Sequence, residues 1–162
     1  LPEQERERFC QVLHHSRTSL YRLAFSITRN SSDAQEAVAE AVCRAYERYP
    51  QLREKEKLPR WLLKITANEA RRLCQRRGRT VSLDDLPTEP AIPGRETGDD
   101  TLWQAVQTLP RDQREAVVLF YYEDLPTEEI ARIVGTSPGA VRVRLSRARE
   151  KLRSILKEGD YG

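Results

Sequence analysis

The sequence predicts an all-α protein of two small helical domains joined by a flexible linker, the second domain containing a helix-turn-helix. Three observations lead there. Apolar residues recur at three- and four-residue spacing in one segment after another, the period of an amphipathic helix. Residues 79–98 carry Pro87, Pro90, Pro93, Gly94 and Gly98 with few hydrophobes, too little to bury a core. Near the C-terminus, Gly135 and Ser137-Pro138 separate two apolar-striped segments by a sharp turn. The expected layout is therefore residues 1–78, a linker over 79–98, and a second domain over 99–162. A length of 162 residues accommodates one domain or two. With 33% charged and 38% hydrophobic residues, each core must be small and lie beneath polar helical faces.

The first helix is expected to run to about Arg29 on Leu13, Leu20, Leu23, Ala24 and Ile27. Asn30-Ser31-Ser32 stops it, and Ser32 with Gln35 forms a capping box for the next helix, with Asp33 at the favourable end of its dipole. That helix reaches about Arg48. Its narrow apolar side of Ala34, Ala37, Val38, Ala41, Val42 and Ala45 allows close helix–helix approach. A charged loop follows from Pro50 to Leu58. Pro59 suits a first helical position, and Trp61, Leu62, Ile65, Leu73 and Cys74 mark a buried stripe ending near Gly78. The second domain reads as helices over 99–109, 111–122, 127–134 and 137–156, with Pro110 and Pro126 just ahead of two of them.

Net charge is +3, which alone says little, but its distribution says more. Residues 60–79 hold seven basic residues against the single acid Glu69, and residues 138–157 hold seven against the single acid Glu150. Between them, residues 80–100 hold six acids and only Arg95. Two basic helices flanking an acidic linker suit a protein that grips a polyanion at two places. Cys10, Cys43 and Cys74 are far apart, and His14 and His15 are adjacent rather than at ligand spacing, so neither a disulfide framework nor a metal site is expected. Each thiol is expected to pack as a small hydrophobe. Glu123-Asp124 and Asp84-Asp85 read as loop acids, and no catalytic site or cofactor is expected. No membrane-length apolar run and no signal-peptide pattern are present, which leads to the expectation of a soluble cytoplasmic protein. The chain begins at Leu1 and contains no Met, so its natural start is expected upstream.

In the C-terminal pair, Thr127 is expected to cap a helix opened by Glu128 and Glu129, with Ile130, Ala131, Ile133 and Val134 inward. The following helix turns Val141, Leu145, Ala148, Leu152 and Ile155 to the core. Its other side carries Arg142, Ser146, Arg149 and Arg153, flanked by Arg144 and Arg147. Packing does not account for that density of arginine. Its planar fork matches both phosphate and guanine, which points to a helix that enters the DNA major groove.

These residues resemble a known family. Thr127-Glu-Glu-Ile-Ala-Arg-Ile-Val-Gly135 and Ser137-Pro-Gly-Ala-Val-Arg-Val-Arg-Leu-Ser-Arg-Ala-Arg149 are similar to the region 4 helix-turn-helix of bacterial sigma factors. The extracytoplasmic-function (ECF) group, made of regions 2 and 4 and a linker, is the most similar. Leu109-Pro110, Arg114 and the run Ala116–Phe120 fit the segment before that motif. Tyr21-Arg-Leu-Ala-Phe25, Asp33-Ala-Gln-Glu-Ala-Val38 and Trp61-Leu-Leu-Lys-Ile-Thr-Ala-Asn68 resemble region 2.

The resemblance implies a promoter-specificity subunit of RNA polymerase. Base reading at the −35 element would fall to Arg142, Val143, Ser146 and Arg147, and phosphate contact to Arg144 and Arg149. The −10 element would meet Leu52, Asn68, Arg71 and Arg72. The clamp helices of the polymerase largest subunit would meet Asp33, Glu36 and Glu40. The family's usual residues differ at Ala39, Val42, Leu52, Ala140 and Val143. An anti-sigma partner is also implied. The alternative is a helix-turn-helix regulator that binds duplex DNA and never associates with core polymerase.

Overall fold

The structure, a computed structural model, describes residues 1–78 and 100–159. The expected linker and the helix start expected at Asp99 lie outside them. Every regular element among the described residues is helical, and the chain divides into two compact units, residues 1–80 and 81–162.

The first unit is three helices, each packed on the other two: α1 (Glu3–Thr28), α2 (Ser31–Arg48) and α3 (Leu58–Arg77). Their core shows why they pack closely. Helix α2 buries only alanines among its apolar residues, Ala34, Ala37, Ala41 and Ala45, a seam at spacing three, four and four. Against it lie Leu20, Leu23, Phe25 and Ile27 of α1 and Leu58, Leu62, Leu63, Ile65 and Leu73 of α3. Small side chains on one helix let the large ones of its neighbours fill the space between axes. Burying each Leu or Ile contributes roughly 1.5–3 kcal/mol.

The boundary between α1 and α2 differs from the expected capping box. Arg29 takes the left-handed conformation, φ 54°, and its N–H donates to Phe25 O at 2.8 Å. Asn30, not Ser32, is the N-cap: its backbone is extended and its Oδ1 accepts from Asp33 N at 2.9 Å. Thr28 Oγ1 fastens the Asn30 backbone on both sides, donating to Asn30 O and accepting from Asn30 N. A buried amide with two backbone anchors caps better than an exposed serine two residues further on.

The loop expected over residues 50–58 contains two single 3₁₀ turns, Tyr49–Gln51 and Lys55–Lys57. Lys55 holds them together, lying 4.3 Å over the Tyr49 ring and donating to Tyr49 O. Pro59 is therefore the second residue of α3 rather than the first, equally free of need for an N–H. Trp61 and Cys74 are half-buried rather than core residues, whereas Leu63 is buried. Cys10 and Cys43 are exposed, contrary to expectation. Cys43 stands two residues past Ala41, on the opposite side of α2 from the alanine seam.

The second unit comprises α4 (Asp100–Gln107), α5 (Arg111–Val117), α6 (Thr127–Val134) and α7 (Pro138–Gly159). Helix α5 continues into a wider π turn, Val118–Tyr122. Trp103 and Val106 of α4, Ala116 to Leu119, Ile130 and Ile133 of α6, and Val141, Leu145, Ala148 and Leu152 of α7 form its core. Ile155 and Val134 are half-buried. Pro110 and Pro126 precede α5 and α6 as expected.

Candidate nucleic-acid interface

The helix-turn-helix is α6 and α7. Gly135 ends α6 at φ 77°, and the N–H groups of Gly135 and Thr136 both reach Ala131 O, at 2.9 and 3.0 Å. Helix α6 opens differently from expectation. Pro126 is its cap residue, Thr127 is already helical, and the side chain makes no cap hydrogen bond. Pro126 supplies its carbonyl to Glu129 N and Ile130 N instead, and its fixed φ holds the entry in place. Ser137 does cap α7, accepting from Ala140 N at 3.1 Å.

With Val141, Leu145, Ala148 and Leu152 buried, the register of α7 is set. Arg142, Val143, Ser146 and Arg147 are all exposed and share the outer side, within an arc of about 140° at 100° per residue. Val143 is 48% exposed, among the most exposed large apolar side chains among the described residues. Arg144 and Arg149 flank that arc on opposite sides, and each is held from outside α7. Arg144 Nε lies 3.7 Å from Asp112 Oδ2 in the first turn of α5. Arg149 Nη1 donates to Tyr121 Oη at 3.2 Å.

Beside Arg149 lies an apolar groove that sequence reasoning missed. It has a volume of about 280 Å³ and is lined by Leu102, Val106, Val117, Tyr121, Leu152 and Leu156 with Arg149 and Arg153 at its edge. Its residues come from α4, the end of α5, the π turn and α7, so only the packing of these elements brings them together.

In the first unit the polar and basic side chains on the outer part of α3 divide into two groups. Lys64 and Asn68 are exposed on the outer face, and Arg71 donates to Asn68 Oδ1 at 3.3 Å. Arg72, Arg76 and Arg77 lie toward α2. Leu52 is half-buried, on the loop between the two 3₁₀ turns, its N–H bonded to Tyr49 O.

The three acids expected to meet polymerase are not equivalent. Asp33 is 2% exposed and paired with Arg77, so its carboxylate closes the start of α2 onto the end of α3 rather than presenting itself to a partner. Glu36 is exposed but accepts from Arg77 Nη2 at 2.9 and 3.2 Å. Glu40 is exposed and lies 3.3 Å from Arg44 Nε. Glu36, Glu40 and Arg44 of α2 face Glu69, Arg72 and Arg76 of α3 across one cleft of about 220 Å³. Acids of α2 and basic residues of α3 thus line one cleft.

Comparison with known proteins fits this architecture. Residues 12–80 match the family Sigma-70 region 2, and residues 99–152 match Sigma-70, region 4. The chain is 32% identical over 142 residues to the RNA polymerase sigma factor SigV of Bacillus subtilis (strain 168), covering 86% of each chain. It is 32% identical over 143 residues to the ECF RNA polymerase sigma factor EcfG of Rhodopseudomonas palustris (strain TIE-1), covering 85% of this chain and 79% of that one. Among solved structures it is similar to the sigma factor RpoE, co-crystallised with the anti-sigma factor NepR, from Bartonella quintana. That similarity has a TM-score of 0.74 and 27% identity, covering 96% of this chain and 98% of that one. CnrH, solved in complex with the cytosolic domain of CnrY, shares the fold with a TM-score of 0.67 and 21% identity, over 94% and 90% of the two chains. With region 2 and region 4 both present, a duplex-only regulator is not favoured: the chain belongs to the ECF group of RNA polymerase sigma factors.

Proposed function

We propose that this sigma factor docks on core RNA polymerase through the exposed acids of α2 and reads promoters with α7 and α3. The observation that carries the reading is the outer arc of α7. Its four side chains stand opposite a buried stripe, free to enter a groove while the rest of the unit supports the helix. In this reading Arg142, Ser146 and Arg147 hydrogen-bond base edges of the −35 element and Val143 meets a thymine methyl. Arg144 and Arg149 contact phosphate on either side and fix the register without carrying sequence information.

On the first unit, the exposed amide of Asn68 offers a donor and an acceptor to an unpaired −10 base, with Leu52 alongside and Arg71 and Arg72 on the strand backbone. Glu36 and Glu40 meet the clamp helices of the largest polymerase subunit. Asp33 shapes the start of that helix instead. The factor supplies recognition and the polymerase supplies the chemistry, in the cytoplasm. No helix among the described residues is long and apolar enough to cross a membrane.

An anti-sigma partner is part of the same proposal. The similar factor RpoE was solved with one, and the apolar groove beside Arg149 offers it a surface of fitting chemistry. The test of the main reading is a pull-down with core polymerase followed by transcription from a promoter library. Stable binding to duplex DNA with no association to core would overturn it.

A further inference from the structure

Glu69 is the lone acid among the basic residues of α3, and by charge alone it weakens a DNA-binding helix. The structure gives it a place that charge counting does not. It is 6% exposed, and its Oε1 receives two guanidinium groups from different helices. Arg44 Nε of α2 lies 2.8 Å away, and Arg72 Nη1, one turn along α3, donates at 3.0 Å. Arg44 also lies 3.3 Å from Glu40.

A carboxylate this buried is stable only when it is paired, and two cations pair it. The two partners differ in what remains to them. Arg44 lies between two carboxylates and is two-thirds buried, while Arg72 is 51% exposed. Arg72 spends one donor on Glu69 and keeps the rest of its planar fork at the rim of the cleft, next to the outer face that carries Lys64 and Asn68. A long side chain loses rotamer freedom when it binds a phosphate, and one already held at one end loses less.

We propose that Glu69 is a positioning residue for DNA-strand binding: it holds the Arg72 guanidinium so that its free donors meet a backbone phosphate. The inference rests on the proposed role of Arg72 at the −10 strand. It adds that the role depends on a residue of opposite charge, itself out of reach of DNA. It also explains why arginine rather than lysine is suited to residue 72. A planar fork serves a carboxylate and a phosphate at once, whereas an ammonium is a point charge on a flexible stem.

The test is a double-mutant cycle on the full chain bound to core polymerase. Affinity for a short unstructured single-stranded oligonucleotide is measured by fluorescence anisotropy across a salt series. Arg72→Gln should weaken binding and reduce the salt slope by about 0.7, the value for one phosphate on a single strand. Glu69→Gln should weaken binding by about two- to tenfold, the factor lost when one long side chain must be ordered on binding. In the Arg72→Gln background the same Glu69→Gln change should have no further effect.

Should Glu69→Gln weaken binding equally in both backgrounds, Glu69 is a structural residue and the inference is overturned. Should Arg72→Gln change nothing, the −10 assignment of Arg72 fails, and the inference with it. Arg72→Lys provides a second route if Glu69→Gln disturbs folding, because an exposed side chain is changed and its charge is kept. It should lose most of the affinity that Arg72→Gln loses. Wild-type affinity in Arg72→Lys would show that Arg72 acts as an unpositioned charge, against the inference.

Discussion

Arg147 and Arg149 stand two residues apart on α7, yet they are expected to fail in different ways. Arg147 lies exposed in the outer arc, so Arg147→Ala should cost roughly 1–3 kcal/mol on the preferred −35 sequence and relax preference at one base. Competition binding with a single-position library checks this, and an equal loss on every sequence would reassign Arg147 to phosphate. Arg149 is tethered to Tyr121 at the side of the arc, a geometry suited to the groove wall. Arg149→Ala should weaken all duplexes alike and reduce the salt slope by about one; a sequence-selective loss in the same titration would contradict that role. The buried stripe of Val141, Leu145, Ala148 and Leu152 was legible from its spacing. That reading set Arg149 on the outer side and Arg147 at its flank, and the register of the helix exchanges the two. That Tyr121 and Asp112 hold Arg149 and Arg144 was not legible, because those partners come from α5 and the turn that follows it.

At the scale of single elements, the two helix junctions are the sensitive points. Gly135 has φ 77° with nothing within 4 Å of where a Cβ would stand, so Gly135→Ala meets backbone strain and no clash. It should destabilise the second unit by about 1–2 kcal/mol, read from its thermal or urea unfolding. Asn30→Ala removes the acceptor for Asp33 N and should cost the first unit about 1 kcal/mol by the same measurement. Ser32→Ala should cost much less, since Ser32 is exposed and is not the cap. The sequence offered Asn30-Ser31-Ser32 as the stop and favoured Ser32, with Gln35, as the cap. The choice among them fell to Thr28, which anchors Asn30 from the preceding helix. Thr127 is a similar case: a favoured capping residue lost the position to Pro126.

On the scale of the whole chain, two compact units with separate cores are proposed to hold two parts of one promoter. Tethering makes the second contact intramolecular, so its effective concentration is set by the linker rather than by the solution. Residues 1–80 and 81–162 supplied as separate chains to core polymerase should therefore need about 10²-fold more factor for the same initiation in a run-off assay. Equal activity at equal concentration would show that the connection contributes nothing.

The helical class and the buried stripe of α7 were determined by the sequence alone. Each follows from a period of three to four residues, which local chain geometry converts directly into a face. The family, too, was legible from contiguous motifs. Only the tertiary structure decided what charge does here. Asp33, Glu36, Glu40 and Glu69 look alike in sequence. One of them is buried against Arg77, one is bonded to Arg77 at the surface, one is shared with Arg44, and one holds two guanidinium groups from within the interface of α2 and α3. The reason is physical: the energy of a charge depends on its solvation and on the charges a few ångströms away, and those neighbours are brought together by packing between helices rather than by order along the chain.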